Sequence, residues 1–188
     1  PVVLIHGNLS TGRFYEHLMP NAPAGYRFIM PDMRGFGDTE RLPLDATRGL
    51  HDWADDTYAL MQTLEIKQPV HLAGWSTGVK LDGTPCYPDY AGSGGGTGNP
   101  DFAQRIANGD RSAESPLSPR NVINASYWAT NHREPAERED MIVDEILKSV
   151  IGADGYPGDF TPSPNWPGIA PGTRGILNAL SGKYCNWA

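Results

Sequence analysis

Val70-His71-Leu72-Ala73-Gly74-Trp75-Ser76-Thr77-Gly78 decides how the chain is read. An apolar run of strand length, 70–73, enters Gly74-Trp75-Ser76-Thr77-Gly78, an instance of the pattern G-x-S-x-G. In that pattern a strand turns sharply into a helix and presents a serine at the apex, its Oγ free to attack a carbonyl. Gly74 and Gly78 flank Ser76 because small residues let the backbone and the neighbouring strand pass closely. The pentapeptide alone also fits an ordinary strand-to-loop turn, so its surroundings must decide.

Upstream, the surroundings agree. Val2–Ile5 is a short continuous apolar run, suited to a strand buried on both faces. It ends in a polar, glycine-punctuated loop, His6-Gly7-Asn8-Leu9-Ser10-Thr11-Gly12. Phe14, Tyr15 and Leu18 predict a short helix that stops before Pro20. Residues 26–30 form a second, weaker strand pattern running into Pro31-Asp32-Met33-Arg34-Gly35-Phe36-Gly37-Asp38. Leu50, Trp53, Ala54, Thr57, Leu60, Met61 and Leu64 recur at helical spacing, with Asp52, Asp55, Asp56 and Glu65 mostly off that stripe. This predicts an amphipathic helix ended by Lys67-Gln68-Pro69. Strand, helix, strand, helix, strand is the pattern of an α/β fold with a parallel sheet and right-handed crossovers. Three strands are expected, with the serine turn at the end of the third.

Downstream, the pattern changes. Gly83 and Pro85 arrive too soon after Gly78 for a sustained helix. The glycine-rich residues 91–98 lack both a preceding strand and a following Gly-Lys-Ser/Thr, so they do not read as a phosphate loop. Asn99-Pro100, Ser118-Pro119 and Glu134-Pro135 each signal a helix start. The last of these opens a helix with a stripe of Ile142, Ile146 and Val150, widened by Val143 and Leu147, and Gly152 is the natural residue just past its end. Residues 176–180 predict a final short helix. No β-alternation of any length is visible. The chain therefore divides into 1–80, a sheet portion carrying the serine turn, and 81–188, a helical, loop-rich cap.

The 188 residues carry a formal net charge of −7, with a pI near 5.1. That charge argues against nucleic acid and anionic membrane surfaces as partners. No apolar run approaches membrane-spanning length. Cys86 and Cys185 fit no metal-ligand spacing, and no metal or cofactor motif is present. Cytoplasm is the default compartment. The two cysteines lie near the two ends of the cap half, which leaves a disulfide open, with reduced thiols the default in a cytosolic protein. The chain does not begin with Met, and Pro1-Val2-Val3-Leu4-Ile5 reads as the middle of a fold.

Taken in order, the His6-Gly7-Asn8 loop, the Pro31–Asp38 loop and Gly74-Trp75-Ser76-Thr77-Gly78 resemble the α/β-hydrolase superfamily, close to its cap-bearing, serine-nucleophile, esterase-like branch. The resemblance covers residues 1–78. It implies a partial α/β-hydrolase sheet with Val2–Ile5 in the middle. It implies Ser76 as nucleophile, with the backbone N–H groups of Thr77 and Asn8 forming the oxyanion hole. His6 and Gly7 would shape the first loop, and Asp32 and Arg34 would hold the second by hydrogen bonds. A serine here disfavours the dehalogenase and epoxide-hydrolase branches, which use aspartate. The implied reaction is cleavage of an ester or related acyl bond of a small apolar substrate. Tyr87, Tyr90, Tyr127, Trp128 and Trp166 are candidates for the pocket mouth or for ordinary cap packing.

The pattern also departs from the family. A triad runs Ser, then Asp or Glu, then His. Only His132 follows Ser76, with no strand before it, and it reads as a surface or cap histidine. The chain thus reads as a fragment lacking the triad acid and histidine, inactive alone for want of a base to take the Ser76 proton. A non-catalytic binding protein or triad-deficient paralogue is the alternative from another class. A cofactor-free haloperoxidase or acyltransferase would share the same nucleophile.

Overall fold

Strand β1 (Val2–Ile5) is the axis of the sheet. In the computed structural model, which describes residues 1–74, 87–129 and 131–185, β1 lies between β2 (Phe28–Ile29) and β3 (His71–Gly74) and runs parallel to both. Val2 to Ile5 pair in register with His71 to Gly74, and Val2 and Val3 pair with Phe28 and Ile29. The order β2-β1-β3 is the expected one. It explains the unbroken apolar run of β1, because a central parallel strand is covered on both faces; Val3 and Leu4 are buried. β2 is shorter than 26–30 suggests, although Val2 N–H also donates to the Arg27 carbonyl. All four residues of β3 are exposed, Leu72 to 66%.

Between β1 and β2 the chain forms a 3₁₀ segment, Gly12–Asn21, rather than a helix stopped before Pro20. Proline's fixed φ near −65° suits a 3₁₀ turn, so Pro20 sits inside it. Gly12 is required at its start, since a Cβ there would lie 2.1 Å from the Met30 carbonyl oxygen. Helix α1 (His51–Thr63) follows β2 as the apolar stripe predicts. Its Asp52 is buried; it accepts from Asp45 N–H at 2.9 Å and pairs with Arg48.

Two helices of the second half start at side-chain caps that the sequence predicts. In α2 (Pro100–Ala107), Asn99 accepts from the N–H groups of Asp101 and Phe102. In α3 (Pro119–Ser126), Ser118 accepts from Asn121 N–H. Helix α4 (Ala136–Leu147) follows Pro135, and α5 (Ile176–Ala179) closes the series. Two expectations fail. Gly152 does not end α4, which is capped at Lys148; it lies in a strand with φ +127°. Four short strands also appear where none was expected: β4 (Ile151–Gly152) beside β5 (Tyr156–Pro157), and β6 (Phe160–Pro162) antiparallel to β7 (Ile169–Pro171). Segments of two or three residues are too short to show alternation.

The core is shared by both halves. Leu9, Phe14, Phe36 and Trp53 belong to one buried cluster with Ile106, Ile123, Ile142, Ile146 and Ile176. Glu145, itself buried, joins Arg13 at 3.1 Å to Lys148 at 3.0 Å. Among the described residues no helix is long and apolar enough to cross a membrane. Cys185 carries a free, buried thiol, and Cys86 lies outside the described residues.

Candidate active site

Ile5 and Gly74 are register partners at the C-terminal ends of β1 and β3. The loop that begins at His6 therefore leaves the sheet beside the point where the chain passes from Gly74 toward Ser76. Parallel α/β sheets bind ligands at this edge. Ser76, Thr77 and Gly78 themselves lie outside the described residues. His6, Gly7, Asn8 and Gly74 are described. A Cβ on Gly74 would lie 3.4 Å from the Ile5 carbonyl oxygen, an ordinary contact, so β1 does not by itself demand glycine there.

His6 is buried, and both of its ring nitrogens are committed. Nδ1 lies 2.8 Å from the Gly7 carbonyl oxygen, which can only accept. Nε2 accepts the Met33 N–H at 2.8 Å. The ring is thus the neutral Nδ1–H tautomer, and it ties the loop after β1 to the loop after β2. Burial pushes its pKa below the ordinary histidine value, against weaker opposing effects of the Gly7 hydrogen bond and the Asp32 charge. Phe36 meets the ring edge-on at 5.3 Å. With neither nitrogen available, His6 is no catalytic base.

Asp32 fastens the same two loops a second time. Oδ1 accepts Gly12 N–H at 2.8 Å and Oδ2 accepts Asp38 N–H at 3.0 Å. Arg34 makes a two-pronged pair with Asp56, at 2.8 and 2.7 Å, and donates to the Pro43 carbonyl at 3.0 Å. Its own carbonyl accepts Trp53 Nε1–H at 3.0 Å. Every polar group of these two side chains points into a loop or onto α1, so they hold structure here.

Sequence reasoning had no signal for three further features of the first loop. Ser10 is fully buried and donates to the Gly7 carbonyl at 2.8 Å. Tyr127, from the end of α3, brings its hydroxyl to the carbonyls of Asn8 and Leu9, at 3.3 and 3.4 Å. Leu9 takes φ +51°, a left-handed conformation uncommon outside glycine. Its buried side chain joins the shared core, which holds the turn in place. Among the described residues, neither the N–H nor the buried Oδ1 of Asn8 has a hydrogen-bond partner.

A cavity of about 510 Å³ opens beside this loop. His6, Gly7, Asn8 and Gly74 line it together with Ile5, Met33, Trp53, Leu72, Ile176 and Leu180. Among the described residues its aromatic lining is His6, Phe36, Trp53 and Tyr58; none of Tyr87, Tyr90, Tyr127, Trp128 and Trp166 reaches it. Trp166 is instead 79% exposed. His132 is about half exposed, with Nε2 3.3 Å from Glu134 Oε1 and its ring edge-on to Trp128.

This sheet, with its loops gathered at one edge, is that of an α/β hydrolase. A family model described as alpha/beta hydrolase fold matches residues 1–79, and over that stretch the chain is similar to that family. It is 34% identical over 82 residues to the AB hydrolase superfamily protein YisY of Bacillus subtilis, covering 42% of this chain and 28% of that protein. It is 36% identical over 81 residues to the 2-hydroxymuconate semialdehyde hydrolase of a Pseudomonas species, again 42% and 28%. A solved structure of a hydrolase from Pseudomonas aeruginosa superposes with a TM-score of 0.49 at 15% identity, over 79% of this chain and 58% of that one. The chain thus spans less than a third of the length of these two curated relatives.

Proposed function

We propose that the protein is a serine hydrolase that cleaves an ester or related acyl bond of a small apolar substrate through an acyl-enzyme on Ser76. The observation that carries this reading is the Asn8 N–H, which lacks an acceptor among the described residues and lies at an apolar cavity beside the strand that runs into Gly-Trp-Ser-Thr-Gly. Ser76 Oγ attacks the substrate carbonyl, and the negative charge that develops on its oxygen is met by the N–H groups of Asn8 and Thr77. A fixed donor of this kind contributes roughly 3 kcal/mol to the transition state. The apolar lining suits a small apolar substrate without a charged group. The similarity to named hydrolases supports the general class.

The Ser76 proton needs an acceptor, and the described residues assign none. His6 is committed at both nitrogens, and His132 is paired with Glu134. The alternative is a binding protein that keeps the loops without the triad. Aryl-ester hydrolysis and labelling by an active-site phosphonate separate the two. Under the first reading the protein reacts at Ser76, and Ser76→Ala abolishes both signals. Undiminished labelling in Ser76→Ala removes Ser76 as nucleophile.

A further inference from the structure

We propose that His6 and Ser10 are positioning residues that aim the Asn8 N–H, by gripping the carbonyl of the peptide unit to which that N–H belongs. The proposal rests on the reading of Asn8 as an oxyanion donor. The Gly7 C=O and the Asn8 N–H share one planar trans peptide, so they point in opposite directions. Turning that plane would turn the donor. The Gly7 oxygen receives His6 Nδ1 at 2.8 Å and Ser10 Oγ at 2.8 Å. The two side chains also approach each other, Ser10 Oγ lying 3.3 Å from His6 Nδ1. Both are buried, so water does not compete for the carbonyl.

The grip is itself anchored. His6 Nε2 accepts Met33 N–H, which fixes the ring and dictates the tautomer that leaves Nδ1–H for Gly7. On the far side of Asn8, the Tyr127 hydroxyl meets the carbonyls of Asn8 and Leu9. The peptide before Asn8 and the peptide after it are both held by their oxygens, while the N–H between them has no acceptor among the described residues. Two donors on one carbonyl also polarise the peptide, which strengthens its N–H as a donor. The arrangement supplies an oriented, strengthened N–H without placing a charged group at the site.

Nuclear magnetic resonance on the 188-residue chain tests the geometry, and the rate of phosphonate labelling of Ser76, slow in a chain without an assigned base and read by mass spectrometry at long reaction times, tests its use. The imidazole nitrogens of His6 should show a protonated Nδ1 and a bare Nε2 at pH 7. The Asn8 amide resonance should move in Ser10→Ala and in His6→Gln; glutamine can keep an acceptor near the Nε2 position while removing the Nδ1 donor. Each variant should slow labelling about tenfold, a fraction of the 10²–10³ that losing an oxyanion donor costs. Probe affinity should be unchanged, and Ser10→Thr, which keeps the hydroxyl, should restore the rate. Unchanged labelling in both variants, alongside abolition in Ser76→Ala, overturns the positioning role and leaves the hydrolase reading standing. If Ser76→Ala labels like the wild type, the hydrolase reading fails. The tautomer and the Asn8 amide then decide the orientation alone: an Nε2–H tautomer, or an Asn8 resonance unmoved by both variants, overturns it.

Discussion

Replacing Glu145 tests whether charge or volume secures the junction between the two halves. Its Oε1 receives Arg13 Nη1 at 3.1 Å and Lys148 Nζ at 3.0 Å, while Oε2 is buried with no partner among the described residues. The carboxylate side chain is 1% exposed, but those of Arg13 and Lys148 are 47% and 31% exposed. Two effects oppose each other. Ion pairs to such wet cations contribute about 0–1 kcal/mol each. Burying a carboxylate with one oxygen unpaired costs roughly 1–3 kcal/mol. The charge therefore nets close to zero, and the buried stem supplies what Glu145 contributes. Glu145→Met keeps the volume and should change the unfolding free energy by less than about 1 kcal/mol. Glu145→Ala removes one buried methylene, at about 0.8 kcal/mol, together with the carboxylate, and the cavity left behind adds to the loss, so it should lose roughly 2 kcal/mol or more. Urea unfolding, followed by far-UV circular dichroism and tryptophan fluorescence, reads both variants. If Glu145→Met loses about 3 kcal/mol or more, or as much as Glu145→Ala, the ion pairs and not the volume hold α4 to the 3₁₀ segment Gly12–Asn21.

Ser118→Ala should cost about 1 kcal/mol, because it removes the side-chain acceptor at the start of α3; an unchanged urea midpoint would mean that another group caps the helix. His6, with its folded-state pKa depressed by burial, makes stability fall as the medium turns acid. Below the unfolded value of about 6.5 the unfolded chain binds a proton that the folded chain resists, so this contribution is complete above that pH and lost as pH falls toward the folded pKa. Wild type minus His6→Gln, measured in urea from pH 5 to 8, should isolate it; a difference that grows as pH falls would reverse the sign and refute the assignment.

The sheet was legible because two of its three strands announce themselves locally: Val2–Ile5 by an unbroken apolar run, and β3 by the run that ends in Gly74. The helix starts at Asn99 and Ser118 were legible for the same reason, since a cap is written within four residues. What failed depends on distant partners. Gly152 looks like a helix terminator, but α4 stops at Leu147, and beyond it Val150 N–H donates to the Gly35 carbonyl while the Val150 carbonyl accepts Tyr156 N–H. The site divides in the same way. His6, Gly7 and Asn8 stand out as a loop at a strand end, but that Tyr127 reaches Asn8, 119 positions away, is invisible to any local pattern. Ser76, Thr77, Gly78 and Cys86, on which the nucleophile, the second oxyanion donor and the cysteine pairing turn, lie outside the described residues.

The shared core has a consequence for how the protein is made. Leu9, Phe14 and Phe36 belong to a cluster completed by Ile123, Ile142 and Ile146, which are synthesised long after the third strand. From Gly74 to Ile146 the ribosome adds roughly 70 residues, about four to fourteen seconds at typical elongation rates. During that interval Leu9, Phe14 and Phe36 wait without their cover, and β3 offers an exposed Leu72 as well. Slower elongation lengthens that exposure. Chaperone depletion during synthesis should therefore harm yield more than the stability of the finished fold would suggest.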